Sequence, residues 1–342
     1  MYKEDLAKIR ATGPLVHCIT NAVAMEFNAN ALLAVGASPI MSSFAEEMVE
    51  IVRISSALCI NIGTLDRSQI EAMKIAAAAA QAFGVPWVLD PVGVGASSIR
   101  LQTAQMLISH YHPQVIRGNA SEILTLAGKT VKSRGVDSLY RTEANEAGER
   151  EAGAQATEAN EAGEKEAGAQ ATEANEAGER AAGARETEAQ TEEANRAEAN
   201  GAGERANGAD SLCEADERAV AEFAGRSGAV VSVSGPVDVI TDGIRTVRLE
   251  GGDPIMSRVT AMGCTATALT AAFLAVNENA FDAAANAMAL MSAAGEAASK
   301  EAKAIQATQG ATQTTQAAQN ARTGIQGTGT FKISFLDALC RK

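Results

Sequence analysis

Short apolar runs alternate with longer segments of helical periodicity between residues 14 and 128. Such runs are typical of buried strands, and the segments between them are long enough to form helices. The pattern predicts βαβ units around a mostly parallel sheet, which is the α/β fold class. The predicted strands are Leu15–Thr20, Ser38–Met41, Ala57–Ile62, Pro86–Asp90 and Gln114–Ile116. The predicted helices are Ala22–Val35, Glu46–Ile54, Gln69–Phe83 and Ala120–Ala127.

The alternation resumes after residue 228. Ala229–Ser234 predicts another buried strand, and Val237–Thr241 and Arg245–Glu250 predict a hairpin because Asp242-Gly243 separates them. The remaining predicted elements are helices, at Cys264–Val276, Phe281–Lys300 and Ser334–Leu339. The chain is therefore predicted to hold one α/β domain with a helical C-terminal flank.

Residues 142–210 interrupt this pattern with an acidic segment rich in Ala, Glu and Gly. The segment repeats every fifteen residues, at Thr142, Thr157, Thr172 and in weaker form Thr187, and it contains no large apolar side chain. Ordering it would cost on the order of 100 kcal/mol of conformational entropy with little to bury in return. We predict a mostly disordered insertion. The alternative is a single long helix, which nine glycines disfavour.

The insertion divides one predicted domain, made of residues 1–141 and 211–342. A second polar stretch, residues 304–326, is rich in Gln, Thr and Ala and is predicted to be a loop or a lengthened helix end.

Composition and charge favour a protein with a folded core and disfavour a nucleic-acid binder. The 342 residues are 46% hydrophobic, which is enough for a substantial core. The net charge of −13 comes mainly from residues 142–210, which hold eighteen acidic and six basic side chains, so the rest of the chain is nearly neutral. A nucleic-acid binder would normally show a basic face, and this chain predicts none.

The chain also lacks the patterns of membrane and secreted proteins. No apolar segment approaches 18 residues, and the start Met1-Tyr2-Lys3-Glu4-Asp5 is unlike a signal peptide. The expected location is the cytoplasm, with no membrane partner. The five cysteines are odd in number and form no CxxC pair, so neither disulfides nor a structural zinc site are expected.

Asp90 is the first candidate for chemistry, because it ends a predicted strand before the turn Pro91-Val92-Gly93-Val94-Gly95. In parallel α/β sheets this end of the strands faces the ligand crevice. The alternative is a solvated Asp at an ordinary turn. A dinucleotide fingerprint is not completed, because position 98 is Ser and the next acid is Glu122.

The next predicted strand leads into Arg117-Gly118-Asn119-Ala120-Ser121-Glu122, which brings a cation, an amide and a carboxylate to the same edge. Arg suits a polyphosphate, and two carboxylates with Mg²⁺ suit a nucleotide. The alternative is a helix cap, with Asn119 as N-cap and Glu122 bonding back to it. The two interpretations are compatible.

The small residues of Thr260-Ala261-Met262-Gly263-Cys264 lead directly into an apolar helix. Unpaired backbone N–H groups at a helix start form a site for the charge on a transferred phosphoryl group. Cys264 is predicted in the first turn, where the pKa of a thiol tends to fall. The alternative is a small residue packed at a helix start. A cysteine hydrolase would need a base, and the three histidines, His17, His110 and His112, are not obviously placed to supply one.

Six blocks in register resemble the hydroxyethylthiazole kinase family. They occur in the family's order and span residues 10 to 340 apart from the two polar stretches. The blocks are His17-Cys18-Ile19-Thr20-Asn21, Gly36-Ala37-Ser38-Pro39-Ile40-Met41, Asn61-Ile62-Gly63-Thr64-Leu65, Leu89-Asp90-Pro91-Val92-Gly93-Val94-Gly95, Ile116-Arg117-Gly118-Asn119 and Val259-Thr260-Ala261-Met262-Gly263-Cys264. The resemblance implies a ribokinase-like fold, homotrimers with sites between subunits, and phosphorylation of 4-methyl-5-(2-hydroxyethyl)thiazole with ATP and Mg²⁺ in thiamine salvage.

The resemblance also implies roles for individual positions. Asn21, Val23 and Met41 match thiazole-contacting positions, and Ala261 matches a position that binds substrate through the main chain. Arg117, Ser234 and Asn119 match ATP-contacting positions. Asp90 and Glu122 match the acidic positions associated with Mg²⁺ and phosphate. Cys264 matches the active-site cysteine, and Gly263 is placed with it in the catalytic group. The family often has Gly where this chain has Ala261, which reduces backbone freedom there but keeps the N–H donors.

Two other functions remain open at this point. An ATP-dependent dehydratase of hydrated nicotinamide cofactors would share the architecture without phosphorylating an alcohol. A non-enzymatic scaffold acting through the acidic repeat is the third hypothesis.

Overall fold

Eight strands form one sheet in the computed structural model, which describes residues 2–129, 212–312 and 327–342. Their order is β2-β1-β3-β4-β5-β6-β7-β8. The first six strands in this order are parallel, and β7 and β8 add an antiparallel hairpin. The strands are β1 (Leu15–Ile19), β2 (Ser38–Ile40), β3 (Ala57–Asn61), β4 (Trp87–Asp90), β5 (Val115–Asn119), β6 (Val230–Ser234), β7 (Val237–Thr241) and β8 (Thr246–Glu250).

Ten α-helices in the described residues cover both faces of the sheet. One face packs against α1, α2 and the three C-terminal helices, and the other packs against α3 to α7. Burial on both sides explains why β1, β3 and β4 are nearly continuous apolar runs. The helices are α1 (Lys3–Thr12), α2 (Met25–Val35), α3 (Met48–Ile54), α4 (Arg67–Phe83), α5 (Ser98–Tyr111), α6 (Ala120–Leu126), α7 (Glu214–Ser227), α8 (Met262–Leu274), α9 (Ala280–Thr312) and α10 (Thr328–Arg341).

The predicted α/β architecture is confirmed, and every predicted strand is present within three residues of its predicted ends. β5 extends to Asn119 rather than ending at Ile116, because its pairing with β6 continues to Asn119 and Ser234. Three helices were not predicted: α1, α5 and α7. The predicted helix Phe281–Lys300 continues to Thr312 as α9, and the short C-terminal helix begins at Thr328.

The predicted acidic insertion, residues 142–210, lies outside the described residues, as does most of the stretch 304–326. Their predicted character stays a prediction. The described residues belong to one structural unit. None of their helices has the length and apolar character needed to cross a membrane.

Candidate active site

The carboxyl ends of the six parallel strands meet at one edge of the sheet, and the predicted site residues follow these ends. Asn21 and Met41 come after β1 and β2, Asp90 and Asn119 are the last residues of β4 and β5, and Ser234 is the last residue of β6. Helix α8 packs over β1, β3, β4 and β5 and brings Gly263 and Cys264 to this edge.

A chain of hydrogen bonds joins Cys264 to Asp90 through two amides. Asn21 Nδ2 donates to Cys264 Sγ (3.2 Å) and to Asn61 Oδ1 (3.0 Å). Asn61 Nδ2 donates to Asp90 Oδ2 (2.7 Å), and Thr267 Oγ1 donates to the same oxygen (2.8 Å). The structure thus brings together three of the predicted site residues, Asn21, Asp90 and Cys264.

Glu122 and Asn119 form the predicted helix cap. Asn119 Oδ1 accepts from the Glu122 N–H (2.9 Å), and Glu122 Oε2 accepts from the Asn119 N–H (2.8 Å), which is a capping box at the start of α6. Glu122 Oε1 also accepts from the N–H of Gly93 (2.9 Å), in the turn after β4. The carboxylate is therefore held between the ends of β4 and β5.

Arg117 places a buried guanidinium beside the start of α8. Its side chain is only 6% exposed, and Nη2 donates to Ser234 Oγ (2.6 Å). A Cβ at Gly263 would lie 2.9 Å from Arg117 Nη1, so the glycine is what allows the guanidinium to approach the helix start. The Nε of Arg117 is buried without a hydrogen-bond partner in the described residues.

The first turn of α8 has free donors. Helix α8 begins at Met262, and in the described residues no hydrogen bond uses the N–H groups of Gly263 and Cys264. These groups and the positive end of the helix dipole lie next to the Arg117 guanidinium. The combination can bind an anion, as the sequence predicts.

Ala261, the N-cap of α8, adopts a left-handed backbone conformation with φ 75°. This region costs a residue with a Cβ about 1 kcal/mol or more, whereas glycine adopts it freely. The turn that begins α8 thus keeps the geometry that glycine favours although the side chain is Ala.

Replacing Ala261 with Gly is expected to raise the free energy of unfolding by about 0.5–1 kcal/mol, because it removes the left-handed strain. Chemical denaturation measures this difference. Ala78→Gly is the matched control: Ala78 is exposed within α4, where Gly should destabilise by about 1 kcal/mol. Equal destabilisation by both variants would mean that Ala261 is not strained.

Burial raises the pKa values of the carboxyl groups at this edge. The pKa of Asp90, which is 1% exposed, is raised by burial against the opposing effects of Arg117, Thr267 and Asn61. Burial and then the charge of Asp90 raise the pKa of Glu122 to about 7. Burial also raises the pKa of Asp238 on β7 to about 6, and Arg117 opposes the shift. The charge of one guanidinium therefore lowers the pKa values of three buried carboxyl groups.

The expected fall in the pKa of Cys264 is wrong. Burial and the neighbouring Asp90 raise the pKa of this thiol to about 11, although the hydrogen bonds from Asn21 and Asn61 and the charge of Arg117 oppose the rise. The start of a helix lowers a thiol pKa where the thiol is solvated, but here the thiolate would be desolvated beside a carboxylate. At neutral pH Cys264 is therefore a thiol.

The residues predicted to contact the acceptor lie on neighbouring loops. Val23 is in the turn between β1 and α2 and is 65% exposed. Met41 follows β2, and both Met41 and Ala261 are partly buried against the same apolar core.

Three site residues were not predicted: Asn61, Thr267 and Asp238. Asn61 is the last residue of β3 and pairs with Asp90 in the sheet. Its position at the end of a predicted strand could have identified it as a site residue. Thr267 lies three residues after Cys264 on a helix, so the two side chains share a face. Asp238 lies within a strand, and no pattern in the sequence singles it out.

A family model described as the hydroxyethylthiazole kinase family matches residues 6–163 and 189–311. The chain belongs to the hydroxyethylthiazole kinase family. A hydroxyethylthiazole kinase of Brachyspira hyodysenteriae is 39% identical to it over 87% of this chain and 86% of the relative. One of Nitratidesulfovibrio vulgaris (strain DP4) is 37% identical over 98% of this chain and 91% of the relative.

Solved structures agree with this membership. The structure of a hydroxyethylthiazole kinase protein from Pyrococcus horikoshii is 27% identical and matches with a TM-score of 0.62 over 99% of this chain and 92% of its own. A ribokinase-like superfamily protein from Enterococcus faecalis, 12% identical, matches with a TM-score of 0.50 over 100% of this chain and 89% of its own, which concerns the fold alone. The predicted ribokinase-like fold is confirmed. A member of this kinase family uses ATP and, as most kinases do, a divalent metal ion.

Proposed function

We propose that the protein transfers the terminal phosphoryl group of ATP to the hydroxyl of 4-methyl-5-(2-hydroxyethyl)thiazole, in thiamine salvage. The observation that carries the proposal is the free pair of N–H groups on Gly263 and Cys264 beside the Arg117 guanidinium. Donors of this kind are needed at a transferred phosphoryl group, and family membership supplies the acceptor.

The phosphate side of the reaction is electrostatic. A loose transition state spreads charge over the equatorial oxygens of the phosphoryl group. It is stabilised by positioned hydrogen-bond donors and needs no covalent catalysis by the protein. The N–H groups of Gly263 and Cys264 and the guanidinium of Arg117 are such donors, and Ser234 holds Nη2 in place. In this proposal Asn119 contacts ATP through its amide NH₂, since its Oδ1 is used by the helix cap.

The carboxyl groups of Asp90 and Glu122 fit a magnesium ion. Mg²⁺ prefers carboxylate oxygens and is commonly held by one or two of them together with substrate phosphates. Burial penalises the ionised forms of both carboxyl groups and raises their pKa values, and a bound cation would favour the ionised forms. Asp90 and Glu122 would hold the ion, and the ion would neutralise part of the phosphate charge.

The acceptor side is built by Asn21, Val23, Met41 and the main chain of Ala261. Val23 and Phe44, on the loops after β1 and β2, are 65% and 62% exposed. A partner surface over these two loops would cover both side chains. We infer that a second copy of the chain completes this side, as a homotrimer would. Sedimentation equilibrium would then give a mass of three chains, and a monomer would contradict the inference.

Cys264 acts by positioning the acceptor hydroxyl rather than as a thiolate base, because its pKa is raised to about 11. Cys264→Ala should lower kcat by about 10-fold with little change in KM for ATP, since the phosphate donors remain. Cys264→Ser keeps a partner for Asn21 and should retain more activity. A coupled ADP assay measures both. Unaltered turnover in Cys264→Ala would remove the cysteine from the mechanism.

The proposed activity is tested by incubating the purified protein with ATP, Mg²⁺ and the thiazole alcohol, with ADP release and the phosphorylated thiazole as the two readouts. ADP release without the acceptor measures background hydrolysis. Hydrated NADH replaces the alcohol in a parallel reaction, which tests the dehydratase alternative. Repair of hydrated NADH without phosphorylation of the alcohol would overturn the proposal. The expected location of the protein in the cytoplasm stays a prediction.

A further inference from the structure

Arg100, near the start of α5, binds the loops that follow β3 and β4. Its Nη1 donates to the carbonyls of Ile62 (2.6 Å) and Val92 (2.8 Å), and its Nη2 donates to the carbonyl of Gly63 (2.8 Å). No carboxylate lies within ion-pair distance of Arg100 in residues 2–129, 212–312 or 327–342. The three bonds join two loops that are no longer paired by the sheet, because the ladder between β3 and β4 ends at Asn61 and Asp90.

These three carbonyls fix the direction of the peptide groups that contain them. A trans peptide group is planar, so its N–H points away from its carbonyl. The carbonyl of Ile62 shares a peptide group with the N–H of Gly63, which donates to Asn61 Oδ1 (2.9 Å). The carbonyl of Val92 shares one with the N–H of Gly93, which donates to Glu122 Oε1 (2.9 Å).

Each peptide group therefore joins Arg100 on one side to a site residue on the other. Asn61 in turn donates to Asp90, so the arrangement reaches both carboxyl groups. A hydrogen bond to a carbonyl also polarises its peptide group and strengthens the bond that its N–H donates. A charged donor without a nearby carboxylate does this more strongly than a neutral one.

We propose that Arg100 is a positioning residue for phosphoryl transfer: it orients the Gly63 and Gly93 N–H groups, which hold Asn61 and Glu122 in the geometry that the reaction needs. The role rests on the proposed kinase function. Arg100 itself is not placed in contact with either substrate. Arg100 acts through the two peptide groups whose carbonyls it binds and whose N–H groups, those of Gly63 and Gly93, bind Asn61 and Glu122.

The test uses Arg100→Met, which keeps much of the apolar stem, and Arg100→Lys, which keeps the charge but cannot reach three carbonyls with a planar fork. We expect kcat to fall about 10- to 100-fold in Arg100→Met, the range that small misplacements produce, with a higher half-saturating Mg²⁺ concentration and little change in KM for the thiazole alcohol. Arg100→Lys should restore only part of this loss. Arg226→Met is the control, since Arg226 is an exposed residue of α7 and should leave all of these values unchanged.

A second readout does not depend on turnover. Amide hydrogen exchange of the nucleotide-free protein should be faster in residues 61–64 and 91–96 of Arg100→Met, and unchanged in α9. A variant that loses thermal stability but keeps kcat and the Mg²⁺ dependence at a temperature well below its Tm would overturn the proposal, because its role would then be only structural. Unchanged exchange in both loops would also overturn it. Wild-type protein that does not phosphorylate the thiazole alcohol would instead contradict the proposed function, and the exchange result would still decide whether Arg100 orients the two loops.

Discussion

Asp90→Asn is expected to lower kcat at least about 100-fold while leaving the Tm unchanged or higher. The variant keeps an oxygen for the donors Asn61 and Thr267, so the local geometry is largely retained. It removes the negative charge that we assign to the metal and phosphate, and loss of one electrostatic group typically costs 10²- to 10³-fold. Burial raises the pKa of Asp90, so the ionised form is penalised and the neutral amide relieves that penalty.

Asp5→Asn is a matched control for this variant. Asp5 is also buried, and one of its oxygens, Oδ2, accepts from Asn277 Nδ2 (2.7 Å) and Asn286 Nδ2 (2.8 Å). These partners lie on α9 and the segment before it, and the site described above uses none of the three residues. Asp5→Asn should therefore keep the wild-type kcat. If Asp90→Asn kept kcat within a few-fold of wild type, Asp90 would have no charge-dependent role.

The positions of most polar residues at the site could be predicted from the sequence, because they follow the carboxyl ends of parallel strands. Parallel strands bring their carboxyl ends to one edge, and Asp90, Arg117 and Asn119 are each found at or near the end of an apolar run. Glu122 follows from the same strand end through the spacing of a helix cap. A resemblance to a known family was needed to add Asn21 and the acceptor, since an amide after a strand has no distinctive chemistry.

Other features had no signal that a single sequence carries. Ala261 is left-handed because the turn before α8 requires it, and alanine does not indicate that conformation. Helix α5 was missed because few of its residues face the core: only Thr103, Ala104, Leu107 and Ile108 are buried. The role of Arg100 depends on three carbonyls in two distant loops, which no spacing in the sequence reveals.

The thiol of Cys264 shows why a local rule was wrong. Its place in the first turn of α8 predicts a lowered pKa, but the pKa depends on everything around the sulfur. Burial and Asp90 both disfavour the thiolate, and they outweigh the charge of Arg117 and the bonds from Asn21 and Asn61. The same balance makes Arg117 important, because it is the cation that acts on Asp90, Glu122, Asp238 and Cys264 together.

Arg117→Met should reduce kcat/KM for ATP by about 10²- to 10³-fold, because it removes the guanidinium beside the Gly263 and Cys264 N–H groups. Its effect on folding should depend on pH. The pKa of Glu122 is raised to about 7, so this carboxyl group is protonated in the folded protein at low pH and ionises as the pH rises. Because the pKa of Glu122 is raised from its ordinary value of 4.5 to about 7, stability is lost as the pH rises from the first value through the second, and Arg117 limits the loss.

The free energy of unfolding should therefore differ less between Arg117→Met and wild type at about pH 5.5 than at about pH 8.5, where Glu122 is ionised and the variant should be clearly less stable. Urea denaturation at the two pH values measures this. Arg117→Lys keeps a charge and should recover much of the stability at the higher pH. It should not recover the activity, because an ammonium cannot bind Ser234 and lie against Gly263 as the planar guanidinium does. A pH-independent loss of stability in Arg117→Met would mean that the guanidinium contributes packing rather than charge.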